Sequence, residues 1–176
     1  MIKSTATAFV LSVGLTLGLT LPGFAKESSH LQLSLAPTIQ LVDAGNDVSG
    51  LRLGIVSQNH DVSGLDIGLG QFTTGDFNGV SLSIANAVYG EARGVQLGIY
   101  NHANRIRGAQ LGWINTSKEL KGLQVGALNI ARQNDLLQVG ILNIAENRRG
   151  WQIGAFNVNM NEDAYFPFMV IVNGSF

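Results

Sequence analysis

The residues best placed by type and spacing to do chemistry stand just before successive copies of a repeated motif: Arg93, Arg107, Lys121, Asp135 and Arg149, at fourteen-residue intervals. A fold that stacked these positions would make a cationic row from Arg93, Arg107, Lys121 and Arg149. Such a row could hold phosphate or carboxylate groups of lipopolysaccharide or another anionic envelope glycan. Asp135 would then relieve repulsion between Lys121 and Arg149. A charged edge of this kind also has a plainer use, keeping sheets from sticking to each other. The surrounding charge is polarised. From Glu27 to Ala92 the chain is acidic, with Arg52 its clear base, whereas Arg93 to Arg149 carries most of the basic residues. The formal net charge is only −1 and no aromatics interleave the bases, which argues against a nucleic-acid partner.

Other chemistry finds little support. His30, His60 and His102 are scattered singly, without zinc-ligand spacing, and read as surface histidines. "GLDIGLGQF" from Gly64 resembles a glycine-rich phosphate loop, but it is one of the repeats and no helix pattern follows. "DAGND" (Asp43 to Asp47) and "NVNMNED" (Asn157 to Asp163) are oxygen-rich without matching an established calcium loop, and read as solvated turns. Ser28 and Ser29 approach a histidine only in an N-terminal tail. No cysteine is present, so disulfides, thiolate metal sites and a cysteine nucleophile are excluded. The expectation is a protein without catalytic residues, cofactor or metal.

The elements that would position these residues come from an internal repeat. Eight copies begin at Gly50, Gly64, Gly79, Gly94, Gly108, Gly122, Leu136 and Gly150, as in "GLQVGALN", with starts fourteen or fifteen residues apart. Each holds two short apolar alternations, Leu123 and Val125, then Leu128 and Ile130, whose phase slips by one at Gly126. That slip is the pattern of two strands meeting at a corner. One copy cannot fold alone. About four buried apolar side chains contribute roughly 6–12 kcal/mol, against about 20 kcal/mol to order fourteen residues. Stacked copies share their apolar faces and satisfy one another's backbone, which predicts an all-β repeat architecture, a β-solenoid of eight coils.

In a solenoid the recurrent polar residues become ladders at about 4.8 Å. One is Gln96, Gln110, Gln124, Gln138 and Gln152, and the other Asn101, Asn115, Asn129, Asn143 and Asn157. Asparagine also tolerates the left-handed conformation at a bend. Gly98, Gly112, Gly126, Gly140 and Gly154 would let the backbone turn sharply.

The termini frame this array. Residues 1–25 read as a secretory signal, with Lys3, an apolar run from Ala6 to Leu21, Pro22, and small residues Gly23 and Ala25 before a cleavage point. Residues 26–49 form an N-terminal strand and cap, 50–163 the repeat, and 164–176 a C-terminal strand. The same ten segments admit an alternative, a ten-stranded antiparallel outer-membrane barrel closed by the alternating run Phe168, Val170, Val172 and Phe176. The phase slip, the apolar residues on both faces and the uniformly short loops count against it.

"LQLSLAPTIQL", "GVQLGIYNHANRIRGAQLGWIN" and "FPFMVIVNGSF" together resemble the bacterial exported surface-repeat proteins of the leptospiral type, over Leu31 to Phe176. The resemblance implies cell-envelope or surface localisation and no assigned activity. "QVGALNIA" and "QVGILNIA" are also similar to curlin repeats, with a shorter period and bulkier residues, which supports coil geometry. The first three copies depart from the pattern at Ser57, Gln71 and Ser83, as at a capping end. The expected function is a non-enzymatic structural or binding surface of the bacterial envelope, in periplasm, cell surface or outer membrane. An open solenoid end and the acidic-to-basic polarity add an expectation of head-to-tail self-association.

Overall fold

The computed structural model describes residues 29–161 and 167–174. Residues 1–25, read above as a secretory signal, and Ser28, Glu162, Asp163 and Phe176 lie outside the described residues. The elements are β1 (Ser29–Ala36), β2 (Ile39–Gln40), β3 (Val48–Asn59), β4 (Val62–Thr73), β5 (Phe77–Leu82), β6 (Ala85–Leu120), β7 (Leu123–Asn134), β8 (Leu137–Arg148), β9 (Trp151–Asn159) and β10 (Phe168–Gly174). No helix occurs among the described residues.

Equivalent positions of successive copies pair in parallel: Gly50 with Gly64, Gly64 with Gly79, Gly79 with Gly94, Gln124 with Gln138, Asn143 with Asn157. The chain is therefore a β-solenoid of about eight turns. A ten-stranded antiparallel barrel is not formed, because short polar turns return each strand to the start of the next coil in the same direction. Two antiparallel strands stand at the ends. β2 pairs with β1, and β10 lies along β9 with Val172 opposite Ile153. Both ends thus break the parallel template, contrary to the open end expected from the repeats.

Inside, the register builds continuous rows. The first is Gln32, Arg52, Asp66, Ser81, Gln96, Gln110, Gln124, Gln138 and Gln152. The second begins with Ser57, Gln71 and Asn86 and continues through Asn101 to Asn157. An apolar row of Val48, Val62, Phe77, Ala92, Ile106 and Leu120 fills a further corner of the section. Small residues, Ala103, Ser117, Ala131 and Ala145, complete it.

Among the described residues, twenty-six buried polar or charged residues accompany only twelve buried apolar ones, so the interior is mainly a hydrogen-bonded spine. The apolar alternations, which the repeat pattern places inside, instead face outward, half-covered by the coils above and below. The five-residue step from Gln124 to Asn129 explains this: with both amides inward, the residues flanking each of them must point out.

The glycines divide the work differently from expectation. Gly126 is needed for close approach, because a Cβ there would lie 2.2 Å from the Gly112 carbonyl oxygen and 2.6 Å from Asn115 Nδ2. The left-handed region belongs to first glycines of the copies, such as Gly94 at φ 127°. Ile171 is the one non-glycine residue with positive φ among the described residues, so the asparagines of the ladder are not left-handed bends.

Candidate interaction surface

The two amide rows are bonded throughout. Gln110 Nε2 donates to Gln96 Oε1 at 2.8 Å, Gln124 to Gln110 at 2.7 Å, Gln138 to Gln124 at 2.8 Å and Gln152 to Gln138 at 2.9 Å. In the other row, Asn101 Nδ2 donates to Asn115 Oδ1 at 2.9 Å, and the series continues through Asn129 and Asn143 to Asn157 at 2.8–2.9 Å. The glutamines donate toward the N-terminal coil and the asparagines toward the C-terminal one. The two lines of amide dipoles therefore oppose each other. All ten side chains are 0–1 % exposed, which makes them part of the spine and inaccessible to a ligand.

Arg93, Arg107, Lys121, Asp135 and Arg149 occupy one row on an edge, as the fourteen-residue offset requires, but they are engaged. Arg93 Nε meets Glu91 Oε1 at 2.6 Å and Arg107 Nε meets the same oxygen at 3.2 Å, with Arg105 3.9 Å from the other. The hydrogen bond and charge of Glu91 hold the Arg93 guanidinium above its usual range. Lys121 pairs with Glu119 at 3.8 Å, and Asp135 accepts from Gln133 Nε2 at 3.1 Å. Glu91, almost fully buried, is thus the anchor that gathers the first arginines of the row.

The histidines lie apart, each with a hydrogen-bond partner: His30 to the Ser49 carbonyl, His60 to Thr74, His102 to Thr116. Burial, and secondarily Lys118, lower the pKa of His102. Asp47, His60 and Asp61 place one ligand atom each within 4.8 Å of one another, an association between coils that linear spacing conceals. His60 and Asp61 are about half exposed, and Asp47 and Asp61 each accept a backbone N–H from the following coil. "GLDIGLGQF" lies within β4 as an ordinary coil. Asn161 N–H donates to Asn159 Oδ1, so the described part of "NVNMNED" closes as a turn.

Sequence reasoning missed the largest feature. At the position after the corner glycine, or after Ser83 in its place, stand Ile55, Leu69, Ile84, Ile99, Trp113 and Ile141, each 50–70 % exposed, as a ridge running along the solenoid. Ala127 interrupts it, leaving an open apolar groove of about 530 Å³ between Trp113 and Ile141, floored by Gly126 and Gly140. Beside the ridge lies a face with two unbroken apolar rows. One runs Leu51, Leu65, Val80, Val95, Ala109, Leu123, Leu137, Trp151 and the other Leu53, Ile67, Leu82, Leu97, Leu111, Val125, Val139, Ile153. The signal was present in the phase slip, which fixes which residues point out once the amides are known to point in. Exposed apolar area of this extent is what protein and membrane interaction sites generally present.

No protein family, curated protein or solved structure matches the chain.

Proposed function

We propose that the chain is a non-enzymatic, exported protein of the bacterial cell envelope, a rigid structural and binding surface of the kind implied by its likeness to leptospiral-type surface-repeat proteins. One observation carries the reading: the apolar residues of the repeat are displayed and the polar ones buried. A solenoid that needed only to persist in water would favour the reverse. The polar spine holds the coils in register, so that the ridge from Ile55 to Ile141 and the neighbouring Leu/Val face form a fixed lattice of contacts at about 4.8 Å. The charged side chains, apart from the buried Arg52–Asp66 pair, cluster toward the turn edge, away from the ridge.

Cell fractionation tests this. The protein is expected in the envelope fractions, and Trp113→Asp together with Ile99→Asp is expected to weaken its retention there without loss of strand content by circular dichroism. Recovery of the parent in the cytosol, or unchanged retention of the double variant, would remove the proposal.

A further inference from the structure

The Leu/Val face is the most uniform surface of the molecule. Every position of its two rows is apolar over eight coils, whereas the ridge side is interrupted by Gln58, Gly70, His102 and Thr116. Leu65, Val80, Leu82 and Ile153 on it are 40–50 % exposed. With coils about 4.8 Å apart and four residues of about 3.3 Å from glycine to glycine, the face measures roughly 40 Å by 13 Å. Two such faces brought together cover on the order of 1,000 Å² before side-chain relief is added, the scale of a specific interface.

Charge adds a direction. From Ser29 to Glu91 the chain holds six acids and one base, a balance of −5, and from Ala92 to Asn161 eight bases and three acids, a balance of +5. On the turn edge Asp47, Asp61, Asp76 and Glu91 are each in register with the next, and the later turns carry the bases in excess over Glu119, Asp135 and Glu146.

We propose that two copies of this chain pack their Leu/Val faces together, antiparallel, about a two-fold axis that lies between the faces and runs along the strands. The inference rests on the apolar wall being an interaction surface and names its occupant. Such a rotation reverses the solenoid axis but leaves both charged edges on the same side. With the axis between the turns of Glu91 and Arg105, Asp76 comes opposite the turn of Lys121, and Asp61 opposite the turn of Arg132. A parallel sandwich puts the charged edges on opposite sides and gains nothing from them. End-to-end stacking is disfavoured, because antiparallel β2 and β10 stand at the two ends of the sheet. Sheets packed in this way sit about 10 Å apart, a distance that Leu and Val side chains span.

Sedimentation equilibrium of the purified protein is expected to give twice the chain mass, and Leu82→Asp a monomer with unchanged circular dichroism. Asp61→Lys with Asp76→Lys should weaken the dimer at least tenfold at low salt. Adding Lys121→Glu and Arg132→Glu to the same chain should restore it, since the antiparallel edges become complementary again. Failure of the four-fold variant to recover overturns the antiparallel arrangement. A monomeric parent that floats with phosphatidylethanolamine/phosphatidylglycerol vesicles assigns the face to lipid, ending the dimer while leaving the interaction surface intact. A monomer that neither floats nor associates ends both.

Discussion

The first coils and the last coils solve the same problem with different side chains. In the row where the later coils carry five glutamines, the earlier ones carry Gln32, Arg52, Asp66 and Ser81. Arg52 and Asp66 are 1 % exposed and doubly bonded, Nε to Oδ1 at 2.9 Å and an outer guanidinium nitrogen to Oδ2 at 2.6 Å. The guanidinium also donates to the Phe72 carbonyl and to Thr73 Oγ1, and Ser81 Oγ donates to Asp66 Oδ2. An amide is donor and acceptor at once, so it can be copied from coil to coil. Arginine only donates and carboxylate only accepts, so their pairing closes on itself. Gln32 ends the row below them by bonding both the carbonyl and the N–H of Val42. Extensible chemistry therefore occupies the middle and C-terminal coils, and terminating chemistry the N-terminal ones.

That contrast can be broken at five places. The largest effect is expected from Arg52→Ala, which strands the Asp66 carboxylate in the interior and should cost about 3–5 kcal/mol in chemical denaturation. Arg52→Met with Asp66→Leu removes both charges and should recover most of the loss, showing that the pair tolerates replacement as a unit. Next comes Gly94→Ala, at φ 127° with its new Cβ 2.0 Å from the Gly79 carbonyl oxygen, expected to lose roughly 2–4 kcal/mol from backbone strain and overpacking. Gln124→Leu removes the partner of Gln110 Oε1 on one side and of Gln138 Nε2 on the other. It should cost about 2 kcal/mol in the same measurement, and Gln96→Leu, at the start of the amide run, about half as much.

The smallest effect is a slope. His102 lies where the amide run begins, its backbone carbonyl accepting from Gln96 Nε2. Its folded-state pKa is lowered by burial, so the neutral ring is the favoured form and its contribution is complete above the unfolded value of about 6.5. Stability should decline as pH falls from there through the lowered folded value, and His102→Gln should flatten that part of the pH–stability curve. An unchanged curve would show that protonated His102 is accommodated without loss.

Much of the coil was legible in the sequence, because a repeat with recurrent Gln, Gly and Asn constrains what can be stacked. The period predicted the parallel register, and Gln124 and Asn129 were readable as ladder residues. The direction of the apolar residues was not. Leu123 and Val125 alternate with Gln124, and alternation separates two faces without saying which is inside. Hydrophobicity alone places the leucines inward, and only the bonded amide rows place them outward. The basic row was legible in position but not in state, since the buried Glu91 that gathers Arg93 and Arg107 stands outside the motif. Arg52 and Asp66, fourteen residues apart, were readable only as isolated charges in an acidic half.

By itself, then, the sequence determined the period, the all-β character, the lack of any cysteine chemistry and the axial separation of charge, because each follows from residue type and spacing along one dimension. Only the tertiary structure decided which side of each strand is interior, which acid meets which base between coils, and that the two ends are capped antiparallel. Those outcomes depend on hydrogen bonds between residues fourteen or fifteen positions apart. Such bonds exist only once neighbouring coils supply both donor and acceptor.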